Sequence, residues 1–350
     1  MTWTILPARE SFKDYSWKWD ELNRRAFQNH PLLDSRFLGP LIQYFAGDRD
    51  LIAVSATEDK VRSMLLLTPA KLGITTAFLP SQAPLGPILM GSINEVPALL
   101  DALAGPKTAL ELYCQDPDYS TILNPPCHPL YELTTHAITL SIKLEGDFGE
   151  YWSSRSKGLR QSISTALGRV VSSGKQCRLE IVEAPRDVER AVERYGDLEI
   201  RGWKGASGTA VHSSNVQGLF YRDVLRRFSE IERAIVYELY FDDELVSSQL
   251  AIANDFMLIT LKTTFSEIFR NCSPGNLLDY LMLKHEFGRR RFRTIEYYTN
   301  AGPELLRWGT RSRRIQHITI YRSRYIQSLA RIFRKLKQAG QATSNKPEQR

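Results

Sequence analysis

The chain is 350 residues long, 43% hydrophobic and 24% charged, with a formal net charge of +7. That is apolar material for roughly two packed domains, and it excludes wholesale disorder, a collagen-like fibre and a disulfide-stapled miniprotein. The most apolar stretches, residues 64–67 and 84–90, are broken far short of a membrane span. The opening MTWTILPARESFKD shows no basic-then-apolar leader pattern, so a cytoplasmic protein is expected.

In chain order, apolar periodicity predicts helices over residues 17–27 and 37–45. Residues 51–69 (LIAVSATEDKVRSMLLLTP) predict a hairpin turning at Glu58-Asp59, and residues 75–79 a further strand. The Pro-rich stretch 116–131 (DPDYSTILNPPCHPLY) marks a crossing between halves. A strand at 138–144 and one long helix over 148–171 follow, with Trp152, Leu159, Ile163, Leu167 and Val170 as its buried stripe. Residues 177–183 predict a strand and 185–200 a helix opened by Pro185. A helix over 213–229 carries Val216, Phe220, Val224 and Phe228 four apart. Residues 235–253 (IVYELYFDDELVSSQLAIA) repeat the hairpin pattern, with a turn at Asp242-Asp243 and a strand at 256–264 after it. The repeated order argues for two similar α/β halves, residues 1–135 and 136–322, followed by a basic end, 323–350.

That end is distinct in charge. From Lys284 onward there are 17 Lys and Arg against 4 Asp and Glu, while the preceding chain holds 29 against 35. Ile326, Leu329, Phe333 and Leu336 recur at helical spacing among Arg324, Arg331, Arg334, Lys335 and Lys337, a basic amphipathic helix. Such a helix packs on its own domain or a dimer mate, or lies on an anionic membrane surface; residues after Gly340 read as disordered. Cys114, Cys127, Cys177 and Cys272 form no CxxC pair, and the six His form no HxH or HExxH pattern, so neither a disulfide framework nor a metal site is read.

The segment 258–283 carries the chemistry. A strand ends near Thr264, a polar loop follows, and Ser273-Pro274-Gly275 opens a helix that buries Leu277, Leu278, Leu281 and Met282. A helix start with free N–H groups and a small residue suits a pyrophosphate, and Arg270 stands nearby. Lys262, a cation within a strand, faces solvent or meets a phosphate or anionic acceptor.

Six segments, in order, resemble the CelD/BcsL-like acetyltransferases, a branch of the GNAT superfamily associated with bacterial cellulose and exopolysaccharide synthesis. They are YWSSRSKGLRQSI from Tyr151, RGWKGASGTAV from Arg201, FYRDVLRRF from Phe220, YELYFDDELVSSQLAI from Tyr237, LKTTFSEIFRNCSPGNLL from Leu261 and IEYYTNAGPELLRWGTRSR from Ile295. The first half is similar to the degenerate half of a tandem GNAT pair, as in FemX-like peptidoglycan aminoacyl transferases.

The resemblance implies an α/β tandem GNAT fold: two mixed-sheet halves, with a splayed central strand pair that admits acetyl-CoA or another acyl-CoA and needs no metal. Backbone amides of the strand would polarise the thioester carbonyl. Lys262, Thr263, Thr264, Arg270, Ser273, Pro274, Gly275 and Asn276 fall at the cofactor-binding positions. Glu296 is implied as the general base, against pairing with Arg293 or Arg307. Tyr298 is implied as the acid for the departing thiolate, against a buried aromatic in a strand. Trp203, Lys204 and Gln249 are implied to border the acceptor, with core packing for Trp203 and sheet hydrogen bonding for Gln249 as the plain alternatives. The sequence departs from the family in lacking a Gly-x-Gly loop and in carrying Glu304-Leu305 where many relatives have Tyr-Lys.

The reading is therefore acyl transfer from acyl-CoA to an amine or hydroxyl on a sugar or envelope precursor. The basic helix would contact the inner membrane face or a polysaccharide synthase. Two alternatives stand beside it: a FemX-like transferase using charged tRNA, whose phosphates the basic end would meet, and a non-catalytic accessory subunit of polysaccharide synthesis.

Overall fold

The computed structural model describes residues 2–57, 60–123, 129–201, 211–212 and 215–344, with side chains as far as residue 334. The first half runs β1 (Thr2–Pro7), α1 (Ala8–Ala26), α2 (Ser35–Phe45), β2 (Leu51–Thr57), β3 (Lys60–Pro69), β4 (Ile74–Ala77), β5 (Ile88–Leu89), α3 (Val96–Ala102), β6 (Ala109–Gln115) and β7 (Tyr131–Lys143). Helices α4 (Phe148–Ser153) and α5 (Lys157–Ser172) lead into the second half. It runs β8 (Cys177–Val182), α6 (Pro185–Ile200), α7 (Val216–Ser229), β9 (Ala234–Phe241), β10 (Glu244–Ala253), β11 (Met257–Phe265), α8 (Pro274–Arg289), β12 (Thr294–Tyr297), α9 (Pro303–Leu306) and β13 (Arg311–Tyr321). Helix α10 (Arg324–Ser344) is the last described element, and it continues to Ser344 where disorder is expected after Gly340.

The two halves share this order of elements, and both predicted hairpins form, β2 with β3 and β9 with β10. The predicted helix over 148–171 is instead two helices. Ser154 caps the end of α4 and donates its hydroxyl to Tyr151 O, while the Ser156 side chain accepts from Leu159 N and starts α5. Ser hydroxyls that bond nearby backbone compete with helix continuation.

All the described strands join one mixed sheet, ordered β1-β2-β3-β4-β6-β13-β7-β12-β11-β10-β9-β8, with β5 beside β3. The halves are interlocked. Strand β7, at the end of the first half, pairs with β12 of the second, and β13 pairs with β6 of the first. A division at residues 135/136 therefore cuts through β7, which pairs with β13 from Tyr131 to Ser141. Helices cover both faces. One shared core lies under α1, α2, α6 and α7, a second under α4, α5 and α8, and a third under α3.

Candidate active site

The site begins with a parallel strand pair that parts. Strands β11 and β12 are in register from Met257↔Thr294 to Thr260↔Tyr297. There β12 ends, while β11 continues to Phe265 with only β10 beside it. A cavity of about 710 Å³ occupies the parting. It reaches both faces of the sheet, because its walls include Ser273, Pro274, Gly275, Asn276 and Asp279 from the α8 side and Tyr221, Ser81, Gln82 and Pro84 from the opposite side.

The start of α8 is unusual in backbone. Ser273, the N-cap, sits in the left-handed region (φ 48°, ψ 54°), and its side chain makes no capping hydrogen bond, contrary to the expected Ser cap. A non-glycine residue held there costs on the order of 1 kcal/mol. The Ser273 side chain thus leaves the first turn of α8 uncapped, and Ser273, Pro274, Gly275 and Asn276 line the cavity; an uncapped helix start suits an anion. A Cβ on Gly275 would meet Phe265 Cδ1 at an ordinary 3.6 Å, so packing leaves room for a larger residue there.

Most of the predicted site residues gather on this cavity. Lys262, Thr263, Arg270, Ser273, Pro274, Gly275, Asn276, Gln249 and Tyr298 all line it. Lys262 holds its ammonium 5.7 Å over the Tyr221 ring, and Arg270 is largely exposed at the rim. Thr264 lies off the cavity, buried in the β10–β11 pair, where its carbonyl accepts from Ser247 Oγ at 2.8 Å. Trp203 and Lys204 lie outside the described residues.

Glu296 also lies off the cavity. It is buried, 2.8 Å from Arg313, with Oε1 accepting from Thr294 Oγ1 at 3.1 Å. Its ion-pair partner is Arg313, not Arg293 or Arg307. Burial pushes Glu296 up to about 7 despite that guanidinium, whose Nε and Nη2 also bond Asp116 at 2.6–2.9 Å. Asp116 is driven up by burial but ends below its usual range, because Arg313, the Asp118 amide and Tyr298 all hold its charged form.

Tyr298 joins this buried cluster to the cavity. Its hydroxyl donates to Asp116 Oδ2 and accepts from His30 Nε2, both at 2.8 Å. His30 is fully buried and, with desolvation dominant, its pKa falls to about 3, so the ring is neutral. Its Nδ1 accepts from Leu32 N at 3.3 Å, which puts the proton on Nε2 and gives a directed chain His30 to Tyr298 to Asp116. The Tyr298 proton is thereby held by Asp116, and burial followed by the Asp116 charge keeps that phenol protonated.

Sequence reading missed Asp279. Its carboxylate lines the cavity, accepting from Tyr297 Oη at 3.2 Å and from Gln249 Nε2 at 3.4 Å. Burial raises it to about 6 in spite of these hydrogen bonds, the range of a group that exchanges protons near neutrality. The available signal was a lone acid within the apolar run LLDYLML. Gln249 holds Nε2 2.9 Å from Thr263 Oγ1, while its buried Oε1 has no partner among the described residues.

Among the described residues, Cys114, His136 and His317 form one group with donor atoms within 4.8 Å of one another. There His317 Nδ1 accepts the Cys114 amide at 3.0 Å. The ring therefore serves the β6–β13 bulge, at which the register slips between Gln316 and Ile318.

The fold is GNAT-like, a large mixed sheet of two interlocked halves in which a parted parallel strand pair faces a helix start. Residues 157–304 match the acetyltransferase (GNAT) domain family. Over the whole chain the fold is similar to the crystal structure of FemX, at 12% identity, TM-score 0.58, covering 91% of this chain and 98% of that one. It is also similar to a C-terminal domain assigned to a lysylphosphatidylglycerol synthetase of Agrobacterium fabrum, at 12% identity, TM-score 0.55, covering 91% and 95%. A conserved protein of unknown function from Bacteroides thetaiotaomicron matches at 9% identity, TM-score 0.52, covering 90% and 97%. No curated protein matches by sequence.

Proposed function

We propose that this chain transfers an acyl group, in the first instance acetyl, from acyl-CoA to an amine or hydroxyl of a saccharide or envelope precursor, as the likeness to the CelD/BcsL branch implies. The observation that supports it most is the cavity at the parted strands, which ends on the uncapped start of α8. The chain's own residues fit such a donor: first-turn amides of α8 and Arg270 for a pyrophosphate, the free edge of β11 for the pantetheine arm, and the unpartnered Gln249 Oε1 as an acceptor for a donor N–H. The donor supplies the activated thioester carbonyl. The acceptor would enter from the opposite face, between Tyr221 and the loop carrying Ser81 and Gln82.

In this reading Asp279 takes the place first given to Glu296 as the group that exchanges a proton in the cavity. Glu296 serves the buried Arg313 cluster, and Tyr298 is held in position by His30 and Asp116. A second reading keeps the fold and changes the donor to a charged tRNA; it draws on the FemX-like coverage of both halves and on the basic end of the chain.

Titration calorimetry with acetyl-CoA tests the first reading, using the wild type and Gly275→Glu. The added carboxylate sits at the proposed pyrophosphate end, where packing leaves room for it. Saturable binding that falls at least about tenfold in the variant, with thermal stability unchanged, is the expected result. Equal affinity of the two proteins overturns the placement. A salt-sensitive tRNA shift without acetyl-CoA binding moves the assignment to the second reading. Absence of both, with recovery of a polysaccharide synthase in pull-downs, makes the chain an accessory subunit.

A further inference from the structure

Helix α10 leaves β13 almost at once and is tied to the domain along one edge. Gln327 is buried, and Arg334 Nη2 donates to Glu132 Oε2 at 2.6 Å and to Tyr321 Oη at 2.9 Å. Arg331 lies 3.7 Å from the same carboxylate. With that edge fixed, the opposite face is presented outward. Tyr325 is 74% exposed, Leu329 38%, Ile332 54% and Phe333 69%. The spacing i, i+4, i+7, i+8 places these four on one stripe.

No acid occurs anywhere in the 21-residue helix, which carries Arg324, Arg331, Arg334, Lys335 and Lys337. We propose that this face docks on an anionic phospholipid surface, with the apolar stripe in the acyl boundary and Arg324, which stands outside the Glu132 pairs, at headgroup level. Charge selects the occupant. A two-fold pairing with a second copy would bring two acid-free, base-rich helices together, whereas an anionic bilayer complements both the stripe and the helix's excess of basic residues. Among the described residues no helix is long and apolar enough to cross a membrane, so the helix would lie on the surface.

The test is co-sedimentation of the full chain with vesicles of phosphatidylcholine alone or mixed with phosphatidylglycerol, at low and high salt. Binding to the anionic vesicles at least about tenfold above the neutral ones, weakened by salt, is expected. The double variant Ile332→Ser/Phe333→Ser should lose about tenfold or more of that binding, while its circular dichroism and thermal transition stay at wild-type values. Equal vesicle binding by variant and wild type overturns the proposal. So does failure to prefer anionic vesicles, or a self-associated species that the double variant dissolves in the absence of lipid.

Discussion

The two halves build the same notch and use it differently. In the first, β4 and β6 run parallel, with Ile74↔Ala109, Thr75↔Leu110 and Thr76↔Glu111 in register; in the second, β11 and β12 do the same. After β11 the chain makes a tight helical turn and enters α8, leaving the notch open. After β4 it doubles back. Phe78 N bonds Leu66 O at 2.9 Å, Leu66 N bonds Pro87 O at 3.1 Å, and Gly86 N bonds Cys114 O at 3.1 Å. The segment 78–90 thus fills the first notch with the chain's own backbone, and its outer residues Ser81, Gln82 and Pro84 become a wall of the second cavity. One half has become a support for the other: it donates His30 and Asp116 to hold Tyr298, and a loop to shape the pocket.

This contrast can be broken at three places. The largest effect is expected at the joint between halves. Arg313→Leu leaves Asp116 and Glu296 buried without their guanidinium, so urea unfolding should show a loss of about 3–5 kcal/mol. A loss under about 1 kcal/mol would mean that the two halves do not lean on this ion pair.

Next comes the filled notch. A Cβ on Gly86 would lie 2.3 Å from the backbone oxygen of Tyr113, an atom that cannot step aside. Gly86→Val should cost about 1–3 kcal/mol, read as a lowered thermal midpoint. A variant as stable as wild type would show that the segment is not seated as described.

The smallest effect in stability belongs to the open notch, and its sign is informative. Asp279 has a native pKa near 6, above its ordinary 3.8, so the native state binds more protons between those values. Its contribution is most favourable below pH 3.8 and is lost as pH rises through 6. Asp279→Asn should therefore gain on the order of 1 kcal/mol at pH 8 and nothing at pH 3.5. Under the proposed function the same variant should lower the rate and remove its rise with pH around 6. A stabilised variant with unchanged pH–rate behaviour would leave Asp279 structural.

Local signals were legible, and the reasons are local. The turn at Asp242-Asp243, the Pro-initiated helix Pro185–Ile200 and the Pro274 helix start all rest on preferences that act within a few residues. The run from Lys262 to Asn276 meets around one cavity because a strand–turn–helix holds it together. Glu296 was harder to place. Its neighbours in sequence suggested Arg293 or Arg307, but its partner Arg313 comes from β13, which reaches it by pairing with β7.

The amino-acid sequence by itself determined the repeated α/β pattern, the charge of the C-terminal end and the anion-suited start of α8, since periodicity, capping and net charge are additive along a chain. Only the tertiary structure decided which notch stays open, where the protons of Glu296, Tyr298 and Asp279 reside, and which face of α10 meets solvent. Those outcomes depend on burial and on partners brought from distant strands, and desolvation is a property of the assembled surroundings.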